Sequence, residues 1–136
     1  MTRALFDVNV VLDVLANRVP HVDDSAKALG LAETGLLEGV VAAHTLTTLH
    51  YLLERDLGAV RARRVLADLL RVVRVAAVDE GRIRQALALG WRDFEDALQA
   101  VCAEGEECEY LVTRDKAGFK KAAIRVVTPG ELLALL

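Results

Sequence analysis

Five short apolar runs of β-compatible residues recur along the 136-residue chain, and stretches with helical spacing fill the intervals. They are "ALF" (Ala4 to Phe6), "VVAA" (Val40 to Ala43), "VRVAAV" (Val73 to Val78), "YLVT" (Tyr110 to Thr113) and "IRVVT" (Ile124 to Thr128). Strands that are apolar on both sides belong in a sheet covered on both faces, and helices between them impose parallel pairing. The order β-α-α-β-α-α-β-α-α-β-α-β-α therefore predicts an α/β fold, a three-layer α/β/α arrangement around a five-stranded parallel sheet. Residues 1–136 read as one domain, with no repeat, low-complexity tract or linker. A chain of this length buries roughly two thirds of its unfolded surface, so its core needs no disulfide or structural metal.

Local signals set the expected helix boundaries. Pro20 ends the first helix, and Asp23, Asp24 or Ser25 opens a second that reaches about Leu37. Thr45 is the expected cap of a third helix through Arg55, and Gly58 separates it from a fourth ending near Val73. Val65, Leu66, Leu69, Leu70 and Val73 recur at helical spacing and are expected in the core. Asp79 caps a fifth helix that Gly90 stops, and Asp93 to Ala103 forms a sixth. Thr128, Pro129 and Glu131 supply cap, first-turn proline and capping-box acid for the last.

Several classes are disfavoured. No stretch of about 18 apolar residues occurs, so no membrane span is expected. Acids interrupt the apolar N-terminal run, unlike a signal peptide. Cys102 and Cys108 have no companion pair or nearby His, which is poor zinc spacing. A cytoplasmic protein with reduced thiols is the expectation.

The acids carry the chemistry. Asp7 sits inside "LFDVNVVLDV", where a buried carboxylate is costly unless paired, hydrogen-bonded or bound to a metal. It is either the cap of the first helix or the end of a buried strand pointing into a site. Sites in parallel sheets form beyond the carboxyl ends of the strands. Asp7 follows the first strand and Asp115 the fourth, while Asp93 and Asp96 share a helix face three residues apart. Singly, each reads as a cap or surface residue; together they suit Mg²⁺ or Mn²⁺, which prefer oxygen ligands. Charge is blocked along the chain: eight Arg from Arg61 to Arg92, seven acids and no Lys or Arg from Asp93 to Glu109, then five basic residues from Arg114 to Arg125. Carboxylates between basic blocks suit a metal site beside a phosphate-binding surface, or merely solvated helix faces.

"FDVNVVLDVL", "DFEDALQAVCA" and "YLVTRDKAGF", in this order and spacing, resemble the PIN-domain family over nearly the whole chain, most closely its bacterial VapC-like subgroup. The resemblance implies a five-stranded parallel sheet and a Mg²⁺- or Mn²⁺-dependent endoribonuclease acting on single-stranded RNA. It also implies a toxin held by a cognate antitoxin, and often a homodimer. By the same resemblance Asp7, Asp96 and Asp115 are the catalytic metal ligands, and Asp93 the extra acid of the subgroup. Asn9 and Thr113 match positions that hydrogen-bond the ligands. Arg114, Lys116 and Lys120 lie beside the motifs and are expected to hold phosphates. The helix of Arg63, Arg64, Arg71 and Arg74 either extends that phosphate track or, the preferred reading, faces a partner or solvent.

One departure stands out. The family's Glu early in the helix after strand two is unmatched here: its expected place within "HTLTTLHYLLER" holds Thr48 or a neighbour, and Glu54, well over a turn later, is a poor substitute. A non-catalytic RNA- or protein-binding domain is therefore the competing reading. A haloacid-dehalogenase-type phosphatase needs an acid where Asn9 stands, and a receiver domain needs a Lys after strand five, where "TPGELL" has none. His21, His44 and His50 form no ligand spacing, His44 being read as a loop or capping residue. Trp91, Phe94 and Phe119 are expected to pack rather than stack on bases.

Overall fold

The structure is a computed structural model that describes residues 1–136. Five strands form one parallel sheet: β1 (Arg3–Phe6), β2 (Glu38–Ala42), β3 (Val73–Ala76), β4 (Tyr110–Val112) and β5 (Arg125–Val127). Their spatial order is β3-β2-β1-β4-β5, and every neighbouring pair is parallel. The chain starts in the middle strand, works outward to one edge, then crosses to the other side. The crevice at that change of direction lies between the carboxyl ends of β1 and β4, where ligands of open α/β sheets bind.

Alternate residues of the strands feed two cores, as the period of two requires. Ala4, Phe6, Val41, Val112 and Val127 face a core built with α1 (Val8–Leu15), α2 (Val22–Glu33), α3 (Ala43–Leu57), α4 (Ala59–Leu69) and α7 (Pro129–Leu135). Leu5, Val40, Ala42, Ala76 and Leu111 face the opposite core, filled by Ala100, Cys102 and Ala103 of α6 (Phe94–Gly105) and by Phe119 of a 3-10 turn (Lys116–Phe119). Helix α5 (Glu80–Leu89) packs on α6 through Ala86, Ala97, Leu98 and Val101. Sheet and two helical layers thus match the expected three-layer α/β/α fold.

The capping signals at the later helices act as their residue types dictate. Asp79 accepts from the Arg82 N–H, Gly90 takes a left-handed conformation at the end of α5, and Thr128 and Glu131 form a reciprocal capping box. The differences from the sequence reading are local. Helix α2 ends at Glu33 rather than about Leu37, because Gly35 turns the chain with φ +80° and β2 already begins at Glu38. Thr45 is not a cap: β2 runs straight into α3, Ala42 holds the cap position, and Thr45 is buried in the first turn. Helix α4 ends at Leu69, so Leu70 is exposed while Leu69 and Val73 are core. Arg74 belongs to β3 and not to that helix. A single 3-10 turn stands where the β-α-β order predicts a helix between β4 and β5.

The amino ends of the strands are joined by alternating charges. Glu38 lies between Arg3 (3.2 Å) and Arg74 (2.6 Å), and Glu106 between Arg74 and Arg82, both at 2.8 Å. These partners hold the carboxyls of Glu38 and Glu106 below the usual range. Cys102 and Cys108 are buried and free, with burial pushing the Cys108 thiol up to about 12. No helix is long and apolar enough to cross a membrane.

Gly39 in β2 faces Ala32 of α2 so closely that a Cβ would lie 2.9 Å from the Ala32 Cβ and 3.1 Å from Val73 Cγ1. Gly39→Ala is expected to destabilise the fold by about 1–3 kcal/mol through overpacking, read as a lower urea midpoint with an unchanged m value.

Candidate active site

Asp7 occupies the position before α1, yet its side chain caps nothing there. It is 2% exposed and turned instead toward β4 and α6. The Thr113 hydroxyl donates to Asp7 Oδ2 at 2.7 Å, and the Gln99 amide donates to Asp7 Oδ1 at 2.9 Å. The helix-cap reading of Asp7 is thus not the one its hydrogen bonds follow.

Thr113 does two things. While its hydroxyl donates to Asp7, it accepts the Asp115 N–H at 3.0 Å, so one residue at the end of β4 orients both acids. Asp115 opens the 3-10 turn and accepts the Gly118 N–H at 3.3 Å. Asp93 caps α6 by accepting the Asp96 N–H at 3.0 Å, so its capping reading holds. Asp96, in the first turn of α6, receives the Gln99 amide at 3.4 Å.

Gln99 is the residue that sequence reasoning missed. It is fully buried in α6, and its amide nitrogen bridges Asp7 and Asp96 while Thr45 donates to its carbonyl oxygen at 3.4 Å. The signal was present: Gln99 falls three residues after Asp96, on the same helix face, and a polar side chain inside "DALQAVCA" needs a partner. His44 bonds the Glu95 carbonyl through Nε2 at 3.1 Å, linking the start of α3 to the start of α6, and its buried Nδ1 has no partner. Asn9 is half-buried in the first turn of α1 and makes no side-chain hydrogen bond to the acids.

A cleft of about 930 Å³ is walled by Gly90–Asp93, Phe94, Asp96, Asp115, Gly118, Lys120 and Lys121, while buried Asp7 is not among its walls. Gly118 lies close against two of its acids: a Cβ there would lie 2.9 Å from Asp115 Oδ2 and 3.2 Å from Asp96 Oδ2. One small space thus faces both carboxylates. No trio of acidic, His or Cys side chains stands at ligand spacing; the acids ring the space rather than close on it. The donors are all carboxylate oxygens, which fits a hard divalent cation.

Electrostatics point the same way. Burial, then repulsion from Asp7, Asp93, Asp115 and Glu95, pushes the Asp96 carboxyl up to about 7. Of the three expected phosphate ligands, only Lys120 lines the cleft. Lys116 is paired with Glu131 at 3.0 Å, and the Arg114 guanidinium with Asp13 at 2.7 Å. Lys121 and Arg92, not singled out in the sequence, line the cleft beside Lys120, and none of the three has an ion pair. Arg74 is engaged with Glu38 and Glu106. Thr48, at or beside the place of the expected Glu, donates its hydroxyl to the His44 carbonyl, and Glu54 pairs with His50 at 3.6 Å. Trp91 packs edge-on against buried Phe119, but Phe94 is 42% exposed at the cleft rim and not a packing residue.

A parallel α/β sheet with acids gathered at the switch between its inner strands defines a class, and comparison with known proteins gives it a family. The family profile described as PIN domain matches residues 3–117, and the chain belongs to that family. Ribonuclease VapC1 of Aquifex aeolicus is 24% identical over 137 residues, spanning 95% of this chain and 92% of its own. Among solved structures, VapBC-1 from nontypeable Haemophilus influenzae is similar, with TM-score 0.72, 15% identity and coverage of 95% of this chain and 99% of that one. DNA-bound VapBC from Salmonella typhimurium has TM-score 0.69 and 21% identity over 95% of this chain and 99% of that one. A sarcin–ricin-loop-cleaving VapC toxin from Mycobacterium tuberculosis has TM-score 0.69 and 19% identity over 89% and 95%.

The raised Asp96 value sets the sign of a pH effect. Unfolded, the group titrates near 3.8; folded, near 7. Across that window the folded state holds the extra proton, so stability falls as pH rises through it. In EDTA, the melting temperature is expected to drop from about pH 4 to pH 7 relative to Asp96→Asn. Glu38, Glu106 and Glu131, with lowered values, act at lower pH and cancel in the comparison. Parallel melting curves for the two proteins across this range would contradict the assignment.

Proposed function

We propose that the protein is a Mg²⁺- or Mn²⁺-dependent endoribonuclease acting on single-stranded RNA, the toxin of a toxin–antitoxin pair. The observation that carries this reading is a cleft lined by Asp96 and Asp115, with buried Asp7 linked to Asp96 through the Gln99 amide, negative charge in excess at Asp96 and unpaired cations at the rim. The names of its relatives support it: one is a ribonuclease, one a toxin that cleaves the sarcin–ricin loop, and two are VapBC assemblies. A cognate antitoxin, a homodimer and a cytoplasmic setting follow from the same reading.

Asp7, Asp96 and Asp115 are the proposed cation ligands, with Asp93 beside them. When bound, the divalent ion neutralises charge at the scissile phosphate and makes water a stronger acid near neutral pH. Thr113 orients Asp7, and Lys120, Lys121 and Arg92 attract the backbone phosphates of the strand. Asn9 is proposed to support Asp7 once the ligands are engaged. No side chain with a near-neutral His or Lys function is required as the base.

The competing reading is a PIN domain that binds RNA or a partner without cutting. Two observations favour it: Thr48 supplies no carboxylate, and the Gln99 amide already bridges Asp7 and Asp96. Metal dependence separates the two. Cleavage of unstructured RNA with Mn²⁺, lost on adding EDTA, is the expected result, and Asp7→Asn or Asp96→Asn is expected to reduce it to background with an unchanged circular-dichroism spectrum. RNA bound but uncut by the wild type at every metal concentration would establish the non-catalytic reading instead.

A further inference from the structure

Arg114 stands between buried Thr113 and the cleft residue Asp115, yet it does not itself line the cleft. Its Nε donates to Asp13 Oδ2 at 2.7 Å and its Nη2 to Asp13 Oδ1 at 3.3 Å, a forked pair on one carboxylate. Asp13 lies in α1, fully buried, and also accepts from the Ser25 hydroxyl of α2 at 3.1 Å. A carboxylate this deep must be paired, and no other cation reaches it. Two successive residues after β4 are thereby tied to one helix and its leading residue, and the third is tied to the first of them. Thr113 bonds Asp7 before α1, Arg114 bonds Asp13 within α1, and the Asp115 backbone bonds Thr113.

We infer that the Asp13–Arg114 pair is a positioning device for the cation-binding edge. It fixes the Thr113–Asp115 segment against α1, and Arg114 serves that purpose rather than contacting RNA. The inference rests on the nuclease reading and names a role for a residue whose place in the sequence suggested a phosphate contact. The forked geometry is what the role needs. A planar guanidinium held at two points resists rotation of the segment, whereas a single ammonium contact leaves it free.

The two roles of Arg114 predict opposite measurements. Arg114→Met is expected to weaken Mn²⁺ binding, followed by electron paramagnetic resonance of the free ion, by roughly 10–100-fold. It should lower kcat with little change in KM, and leave RNA affinity in EDTA and its salt dependence as in the wild type. Arg114→Lys, which keeps the charge without the fork, should recover part of the Mn²⁺ affinity. Because an orphaned Asp13 endangers folding, the double variant Asp13→Leu/Arg114→Met removes both partners and should show the same loss of Mn²⁺ affinity. The inference is overturned if Arg114→Met binds Mn²⁺ normally but binds RNA weakly, with the slope of log affinity against log salt smaller by about one, the mark of a lost phosphate contact. Wild-type protein that binds no Mn²⁺ and cuts no RNA would overturn the nuclease reading itself. Impaired Mn²⁺ binding in the variants alone keeps the two questions apart.

Discussion

A carboxylate almost wholly shut off from water must be held by donors, and the placement of Asp7 dictates much of what surrounds it. Its two donors come from opposite sides: the Thr113 hydroxyl from the end of β4, and the Gln99 amide from α6. Satisfying one buried charge therefore fixes the spacing of β1, β4 and α6 at the sheet's carboxyl edge. The same arrangement brings Asp96 and Asp115 close enough that negative charge accumulates. Asp96 registers the cost: its proton is retained far above the ordinary range of a carboxylic acid. In a low-dielectric cleft such repulsion is relieved by a proton or by a cation, and the all-oxygen donor set selects a hard one.

The two ends of the sheet handle charge in opposite ways. At the amino ends of the strands, Arg3, Glu38, Arg74, Glu106 and Arg82 alternate in sign, and each charge has its counterpart. These groups are partly exposed, so each pair contributes modestly, but the chain of contacts spans β1, β2, β3, α5 and α6. At the carboxyl ends the acids lack such counterparts, and the nearest cations stand apart at the rim. The same sheet thus carries one edge of fully paired charges and one where carboxylates stand together without partners of opposite sign.

The layered fold could be read from the chain because each strand is apolar on both sides and each helix is punctuated by residues with one physical role, such as Asp79, Gly90 and the Thr128–Glu131 box. The acids could be read because their positions at strand ends need only the order of elements. What escaped was decided by tertiary geometry. Thr45 looks like a cap until β2 is seen to enter α3 without a loop, which frees its hydroxyl for Gln99. Arg114 looks like a phosphate ligand because nothing local reveals Asp13, 101 residues away in sequence, as its partner. Gln99 looks like an ordinary helical residue until the two carboxylates arrive on either side of its amide. Polar residues inside apolar helices were the unread signal, and they are the ones that bind the elements together.

The bare backbone at Gly118 carries a consequence for reading other chains of this kind. With a methyl group in place of that hydrogen, every acid would remain, but the Asp115 carboxylate, 2.9 Å from the new Cβ, would have to shift. Counting carboxylates is therefore an insufficient criterion for retained chemistry. The steric allowance of the turn facing them has to be counted as well, because a side chain at this point fits only where the Asp96 and Asp115 carboxylates give way.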